Sequence, residues 1–240
     1  MFPTFSLASG VETAAAADVK LLLHGDGVDG STTILDSSTF ARATTGSTGV
    51  PALDTAESKF GGSSIRFRGY PEQDYFYYSS SDFDLTADEN WTVECWCKWN
   101  AVQLRDHVFQ FGKDVNNRFL VYVETTGTDQ LLLSKILSGV GTTVATSYAI
   151  SAGSWYHIAV MRKGGTIYFF VNGVVIGTMS AAGLSAISGT VRLDIGYQPY
   201  GAFFSQNYLD GWIEEFRYIT GAATYPIGGF TPPAAAFPNP

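Results

Sequence analysis

The side chains that could do chemistry are few in this sequence, and they stand apart. Acids gather in two places. Asp26, Asp29 and Asp36 lie in a stretch rich in Gly, Ser and Thr, and Glu214-Glu215 form an adjacent pair in an apolar run towards the C-terminal end. Hard carboxylate oxygens from such places suit Ca²⁺, which makes Asp26, Asp36 and Glu214 the candidate ligands of a structural ion. The Asp-x-Asp-x-Asp-Gly spacing of a self-contained calcium loop is absent. Solvated turn acids, with one Glu paired to Arg217 or to a backbone amide, account for the same residues. No cofactor is otherwise required. Adjacent residues of a strand point to opposite faces, so Glu214 and Glu215 are not expected to form the carboxylate pair of glycoside hydrolysis.

Other catalytic signatures are missing. There is no Gly-x-Ser-x-Gly elbow, no His-Glu-x-x-His, no phosphate loop and no Cys-x-x-Cys. His24, His107 and His157 are far apart, and each falls in a strand-like run. They read as hydrogen-bonded strand histidines, with a zinc triad as the alternative. Cys95 and Cys97 sit two apart on one strand face, a poor geometry for a mutual disulfide, and read as buried thiols. No enzyme activity is expected.

Aromatic residues are the other candidates. Trp96 falls on the polar side of an alternating run, Tyr75–Tyr78 cluster, and Tyr197, Tyr200, Phe203 and Phe204 lie in a Gly/Pro-containing loop. Aromatic faces stack on sugar C–H faces and also anchor protein interfaces. Trp96, Tyr197 and Tyr200 are therefore the candidate ligand-binding residues. Packing beneath a loop is the alternative for Trp96.

The elements that must position these residues read as strands. Trp91–Trp99 alternates with period two: Trp91, Val93, Cys95, Cys97 and Trp99 share the core-facing side, and Thr92, Glu94, Trp96 and Lys98 the other. Strands are also expected over 19–24, 63–68, 75–78, 107–111, 118–123, 130–136, 143–150, 155–162, 166–171, 190–196 and 208–219, with short strands at best over 31–60. Asn172-Gly173 between two apolar runs marks a type I′ hairpin turn. No segment carries a capped 3.6-residue periodicity. Charged residues are 15% of the chain and aromatics another 15%, with 26 Gly, a composition of strands and tight turns. The expected class is all-β, a two-sheet antiparallel jelly-roll sandwich.

The chain has 240 residues and a formal net charge of −8. That length fits one large sandwich domain, expected over 19–220, between an N-terminal arm over 1–18 and a Pro-rich C-terminal strap over 221–240. The acidic balance argues against nucleic acid and against an anionic membrane surface as partners. No apolar run approaches the length of a membrane helix. The N-terminal stretch lacks the basic region of a signal peptide.

At this point the motifs resemble a known family. Trp155–Val160 followed by Ile167–Gly173 resembles the central hairpin of laminin G-like/concanavalin A-like domains. Leu209–Arg217 resembles their closing strand, with Glu-Glu where Asp-Glu is commoner. Leu21–Asp26 with Ser31–Asp36, and Ser58–Ser64 with Phe67–Gly69, resemble the early strands of the LamG-like jelly-roll branch. The segments LLLHGDG, SKFGGSS and GAATY…FTPPAAAFP resemble versions carried on virion proteins of tailed bacteriophages. The resemblance implies sugar binding on a concave sheet or its rim, first and last strands that can be neighbours, and a structural Ca²⁺ in some members. Its glucanase branch uses Glu-x-Asp-x-x-Glu, and Glu72-Gln73-Asp74 opens such a run but places Tyr77 where the second Glu should stand. The expectation is a non-catalytic virion structural or decoration protein of the capsid or tail surface, made in the host cytoplasm. Its expected partners are other virion proteins and further copies of itself. The alternative is a carbohydrate-binding module for cell-surface glycans.

Overall fold

The computed structural model describes residues 18–85, 90–125, 130–200 and 207–240. Residues 1–17 of the arm expected over 1–18 lie outside them, as do Phe203 and Phe204, and Asp18 opens the first strand. In chain order the strands are β1 (Asp18–Leu23), β2 (Gly46–Thr48), β3 (Ala52–Asp54), β4 (Ser64–Arg68) and β5 (Tyr75–Ser80). They continue as β6 (Trp91–Trp99), β7 (Arg105–Asp114), β8 (Asn117–Glu124), β9 (Gln130–Leu137) and β10 (Val140–Ala149). The last are β11 (Trp155–Lys163), β12 (Thr166–Val171), β13 (Val174–Ser180), β14 (Val191–Ile195) and β15 (Asp210–Thr220). Among the described residues the helical elements are short turns at 69–73, 81–83 and 184–186.

The strands form two antiparallel sheets. One has eight strands in the order β13-β12-β11-β6-β15-β4-β3, with β1 also paired to β15; the other has seven, β10-β9-β8-β7-β14-β5-β2. Alternation explains the layering. Val93, Cys95 and Cys97 of β6, Phe109 and Phe111 of β7, and Leu193 and Ile195 of β14 all enter one core between the sheets. Each large apolar side chain so buried contributes roughly 1.5–3 kcal/mol. The expected two-sheet sandwich is the one that forms. Asn172 and Gly173 take φ values of 49° and 76°, as a type I′ turn needs, and join β12 to β13.

One strand departs from simple alternation. In β15, Glu214 pairs with Trp96 and Arg217 with Glu94, so Glu215 and Phe216 together oppose Cys95. This is a β-bulge, and Glu215 holds a left-handed φ of 55°. Phe216 keeps its place in the core, while Glu214 and Glu215 both turn to the outer face of the eight-stranded sheet. The expectation that the two acids point to opposite faces is corrected by that extra residue.

Candidate functional site

Register places a line of side chains across the outer face of the seven-stranded sheet. Tyr77 of β5 neighbours Asp194 of β14, Asp194 neighbours Gln110 of β7, and Gln110 neighbours Leu120 of β8. In the next line Arg192 neighbours Gly112, and Gly112 neighbours Arg118. Arg192 Nε donates to Asp194 Oδ1 at 2.6 Å, and its guanidinium carbon stands 3.6 Å from the centre of the Tyr77 ring. Gly112 matters because it lacks a side chain: a Cβ there would meet Tyr200 Cε2 at 2.9 Å and Gln110 Nε2 at 3.0 Å. The Tyr200 ring thus occupies the gap above Gly112, beside Gln110.

Asp194 and Gln110 are both fully buried. Asp194 Oδ2 and both amide atoms of Gln110 nevertheless have no hydrogen-bond partner of good geometry. Burial pushes the Asp194 carboxyl up to about 7, against the opposing pull of Arg192 and of the neighbouring Gln110 amide. An acid and an amide are held side by side in a dry place, their hydrogen bonding incomplete. Beside them, Tyr75 packs on Tyr197 at 4.5 Å, and Tyr197 stacks on Tyr208 at 4.3 Å.

The outer face of the eight-stranded sheet is built differently. Glu94, fully buried, accepts from Arg217 Nε at 3.0 Å, from His157 Nε2 at 3.1 Å and from the Tyr225 hydroxyl. Burial pushes its carboxyl up, but these partners outweigh burial and hold it below the usual range. Glu214 accepts from the backbone N–H of Lys59, of Phe60 at 2.7 Å and of Gly61 at 3.2 Å. Glu215 accepts from His24 Nδ1 at 2.7 Å and from the Phe237 N–H at 2.7 Å. The C-terminal segment supplies much of this. Tyr225 and Phe230 stack at 3.6 Å, the Phe237 ring lies 3.5 Å from the Arg217 guanidinium carbon, and Asn239 Oδ1 bonds His24 Nε2 at 2.8 Å.

The residues singled out from sequence fall as follows. Trp96 does reach an outer face, but it is only 6% exposed. Phe60 meets it edge-on at 5.7 Å and Lys59 Nζ lies 4.1 Å from its ring centre, so the indole packs beneath the 59–61 turn rather than standing open. Tyr197 is buried in the tyrosine stack, and Tyr200 lies over the Asp194–Gln110 line. These two therefore meet at one region, and Trp96 belongs to the opposite sheet.

Of the three proposed calcium ligands, Asp26 and Glu214 both reach Gly61, and Asp36 is engaged by other residues. Asp36 spends its oxygens on the N–H groups of Leu22, Ser38 and Arg42 and on the Ser38 hydroxyl. Glu214 is filled by backbone amides, and Asp26 is exposed beside Gly61. Among the described residues no group of three or more His, Cys, Asp or Glu is placed to hold a metal ion. Both oxygens of Asp36 and of Glu214 already accept N–H or O–H bonds, whereas Asp26 is exposed.

Asp194 and Gln110 were missed from sequence. A signal existed: Arg192 and Asp194, two apart in TVRLDIG, share the polar side of an otherwise apolar strand.

Similarity to solved structures agrees with this architecture. Domain 4 of AbnA, a GH43 extracellular arabinanase from Geobacillus stearothermophilus, solved with arabinotriose, aligns with a TM-score of 0.66 at 21% identity. That alignment covers 87% of this chain and 95% of that one. A structure of botulinum neurotoxin type C, described with two ganglioside molecules in cell entry, gives 0.61 at 16% identity, over 87% of this chain and 49% of that one. The binding domain of Paraclostridial Mosquitocidal Protein 1 gives 0.60 at 14% identity, over 87% and 50%. The chain thus spans about half the length of the toxin chains it matches. No curated protein matches it. The laminin G-type family model described as the concanavalin A-like lectin/glucanases superfamily matches residues 71–225, and the chain belongs to that superfamily.

Proposed function

We propose that this chain is a non-catalytic binding module whose ligand is a carbohydrate, taken on the outer face of the seven-stranded sheet around Tyr77, Asp194, Gln110 and Tyr200. The observation that carries this is the incomplete hydrogen bonding of a buried polar cluster, Asp194 and Gln110 with Arg192 Nη2 and Arg118 Nε beside them. Folded chains pair nearly all their buried polar atoms, and each exception calls for an explanation. A ligand hydroxyl supplies one. The neighbouring tyrosines and Arg192 give the mixed aromatic and polar wall that sugar rings use. The arabinotriose held by the similar arabinanase domain supports the same ligand class. Glycoside hydrolysis needs two carboxyl groups about 5–9.5 Å apart. Asp194 has Tyr77 and Gln110 as its cross-strand neighbours, not a second acid.

The setting we propose is the surface of a tailed-phage particle, capsid or tail, where the chain is a structural or decoration protein contacting other virion proteins and copies of itself. The segments LLLHGDG, SKFGGSS and GAATY…FTPPAAAFP support it. A glycan array tests the binding face. A selective signal is expected that Tyr77→Ala weakens about fivefold or more, the size of one aromatic contact. Trp96→Ala is expected to keep the signal at a lower melting temperature. A blank array, or loss with Trp96→Ala alone, overturns the assignment.

A further inference from the structure

We propose that Asn172 is a self-modification site: its deamidation is held back by the C-terminal segment, and its isoaspartate product releases that segment. Asn172-Gly173 is the single Asn-Gly dipeptide of the chain. In such a pair the side-chain amide is open to attack, because the glycine nitrogen has no Cβ beside it to shield it. Once hydroxide has taken its proton, the Gly173 nitrogen adds to Asn172 Cγ. The Cγ–Nδ2 bond breaks and ammonia leaves. Water then opens the five-membered succinimide at either carbonyl, giving aspartate or isoaspartate. One water is consumed and one ammonia released, with no change of oxidation state.

The fold opposes the first step at both reacting groups. The Asn172 N–H donates to the His157 carbonyl at 2.8 Å, and Asn172 Oδ1 accepts the His157 N–H at 2.9 Å. The side-chain carbonyl thus stands in for a ladder carbonyl just beyond β12. Asn172 Nδ2 donates to the Tyr148 hydroxyl at 3.1 Å. Both ends of the amide are fixed, so Cγ swings onto the Gly173 nitrogen only when both bonds break. Gly173 is itself buried, which keeps hydroxide from its N–H. Its cover is the C-terminal segment. The Phe230 N–H donates to Gly173 O at 2.9 Å, and a Cβ at Gly173 would collide with the Phe230 carbonyl and meet Pro232 Cδ at 3.2 Å. Residues 221–240 form no strand; Tyr225 and Phe230 hold them by packing against Ala159, Met161 and Phe170.

The product undoes this arrangement. Isoaspartate routes the main chain through Cβ and adds a methylene to a two-residue turn whose φ values are 49° and 76°. A type I′ turn has no room for an extra main-chain atom, so Gly173 O leaves the Phe230 N–H and the segment loses its seat. Met161, Phe170 and the Glu94 cluster are then bared. Water does not restore the amide, so the change runs one way.

The test is peptide mapping of the full chain held at pH 8.5 and 37 °C, against the same chain held in guanidinium chloride. Asn172 is the only Asn or Gln between Lys163 and Arg192, so one tryptic peptide reports its conversion. The folded chain is expected to react about tenfold or more slowly than the denatured one. Phe230→Ala is expected to close at least half of that gap, and Tyr148→Phe to raise the rate about threefold, with melting curves showing both variants folded. The folded chain carrying isoaspartate, separated by its added charge, is expected to be cut by chymotrypsin at Phe230. The unmodified chain and Asn172→Asp, which has the same charge on an ordinary main chain, are expected to resist. A folded rate equal to the denatured one, or one that neither variant moves, overturns the guarding role. A chain carrying isoaspartate that resists chymotrypsin overturns the release.

Discussion

The two outer faces of the sandwich bury carboxylates in opposite ways. On the eight-stranded sheet, Glu94, Glu214 and Glu215 offer six oxygens, and each accepts at least one hydrogen bond from the protein. Two ring nitrogens there, Trp96 Nε1 and His157 Nδ1, lack partners, but no carboxylate oxygen does. On the seven-stranded sheet, Asp194 keeps one oxygen empty next to an equally unpartnered amide. Burying a charge is expensive unless partners replace its water. The first face meets that requirement with its own chain, including the segment after β15. The second face does so only in part, as the proposed binding role of that face requires. Reading burial alone would class all four acids together; reading their partners separates scaffold from site.

The largest effect should come from breaking the closed face. Glu94→Ala strands Arg217 and His157 on a buried surface and removes the acceptor of Tyr225. Loss of one partner from a buried ion pair costs about 3–5 kcal/mol. Urea denaturation should show a loss of that size. A loss under about 1 kcal/mol would mean that the cluster relaxes freely and is not a structural lock.

The open face predicts a change of opposite sign. A carboxyl raised from 3.8 to about 7 by folding favours the folded state at acid pH, and that contribution is lost as pH rises towards and through 7. At pH 8 wild-type Asp194 is therefore a liability in the free chain. Asp194→Asn should raise stability by about 1–2 kcal/mol at pH 8, a sum reduced by the lost pairing with Arg192, and by little at pH 4. Thermal melts at both values check this. Destabilisation at pH 8 would make Asp194 a structural residue like Glu94 and erase the contrast between the faces.

Much of this fold was legible in the sequence, because period-two alternation marks strands such as β6. Trp91–Trp99 and Thr166–Val171 occur with the bounds the pattern gives. The Asn-Gly turn was equally readable, since few dipeptides accept two positive φ values. The bulge was not. Nothing in Glu214-Glu215 announces a left-handed Glu215, whose conformation is held by His24 and by Phe237 far along the chain. Trp96 was placed on the correct side of its strand, but its cover, Phe60 and Lys59, comes from a turn without periodicity. Asp194 and Gln110 were overlooked for a related reason: pattern shows which way a side chain points, not whether it finds a partner there.

The smallest predicted effect probes the edge of the closed face. His24 joins the first strand to the C-terminal segment, bonding Glu215 through Nδ1 and Asn239 through Nε2. The Glu215 hydrogen bond raises its pKa to about 9, with partial burial opposing and Asn239 and Asp26 assisting. A raised histidine stabilises fully below its unfolded value near 6.5, and the contribution fades as pH rises through about 9. Stability should therefore fall by about 1 kcal/mol between pH 6 and pH 10, after solvent screening is allowed for. His24→Gln keeps a hydrogen-bonding side chain but cannot titrate there, so it should flatten this part of the profile. Hydrogen exchange at the Phe237 amide should quicken over the same pH range beyond the intrinsic rise, in wild type only. An unchanged profile in His24→Gln would show that the C-terminal segment is held by its aromatic contacts at Tyr225, Phe230 and Phe237 rather than by charge.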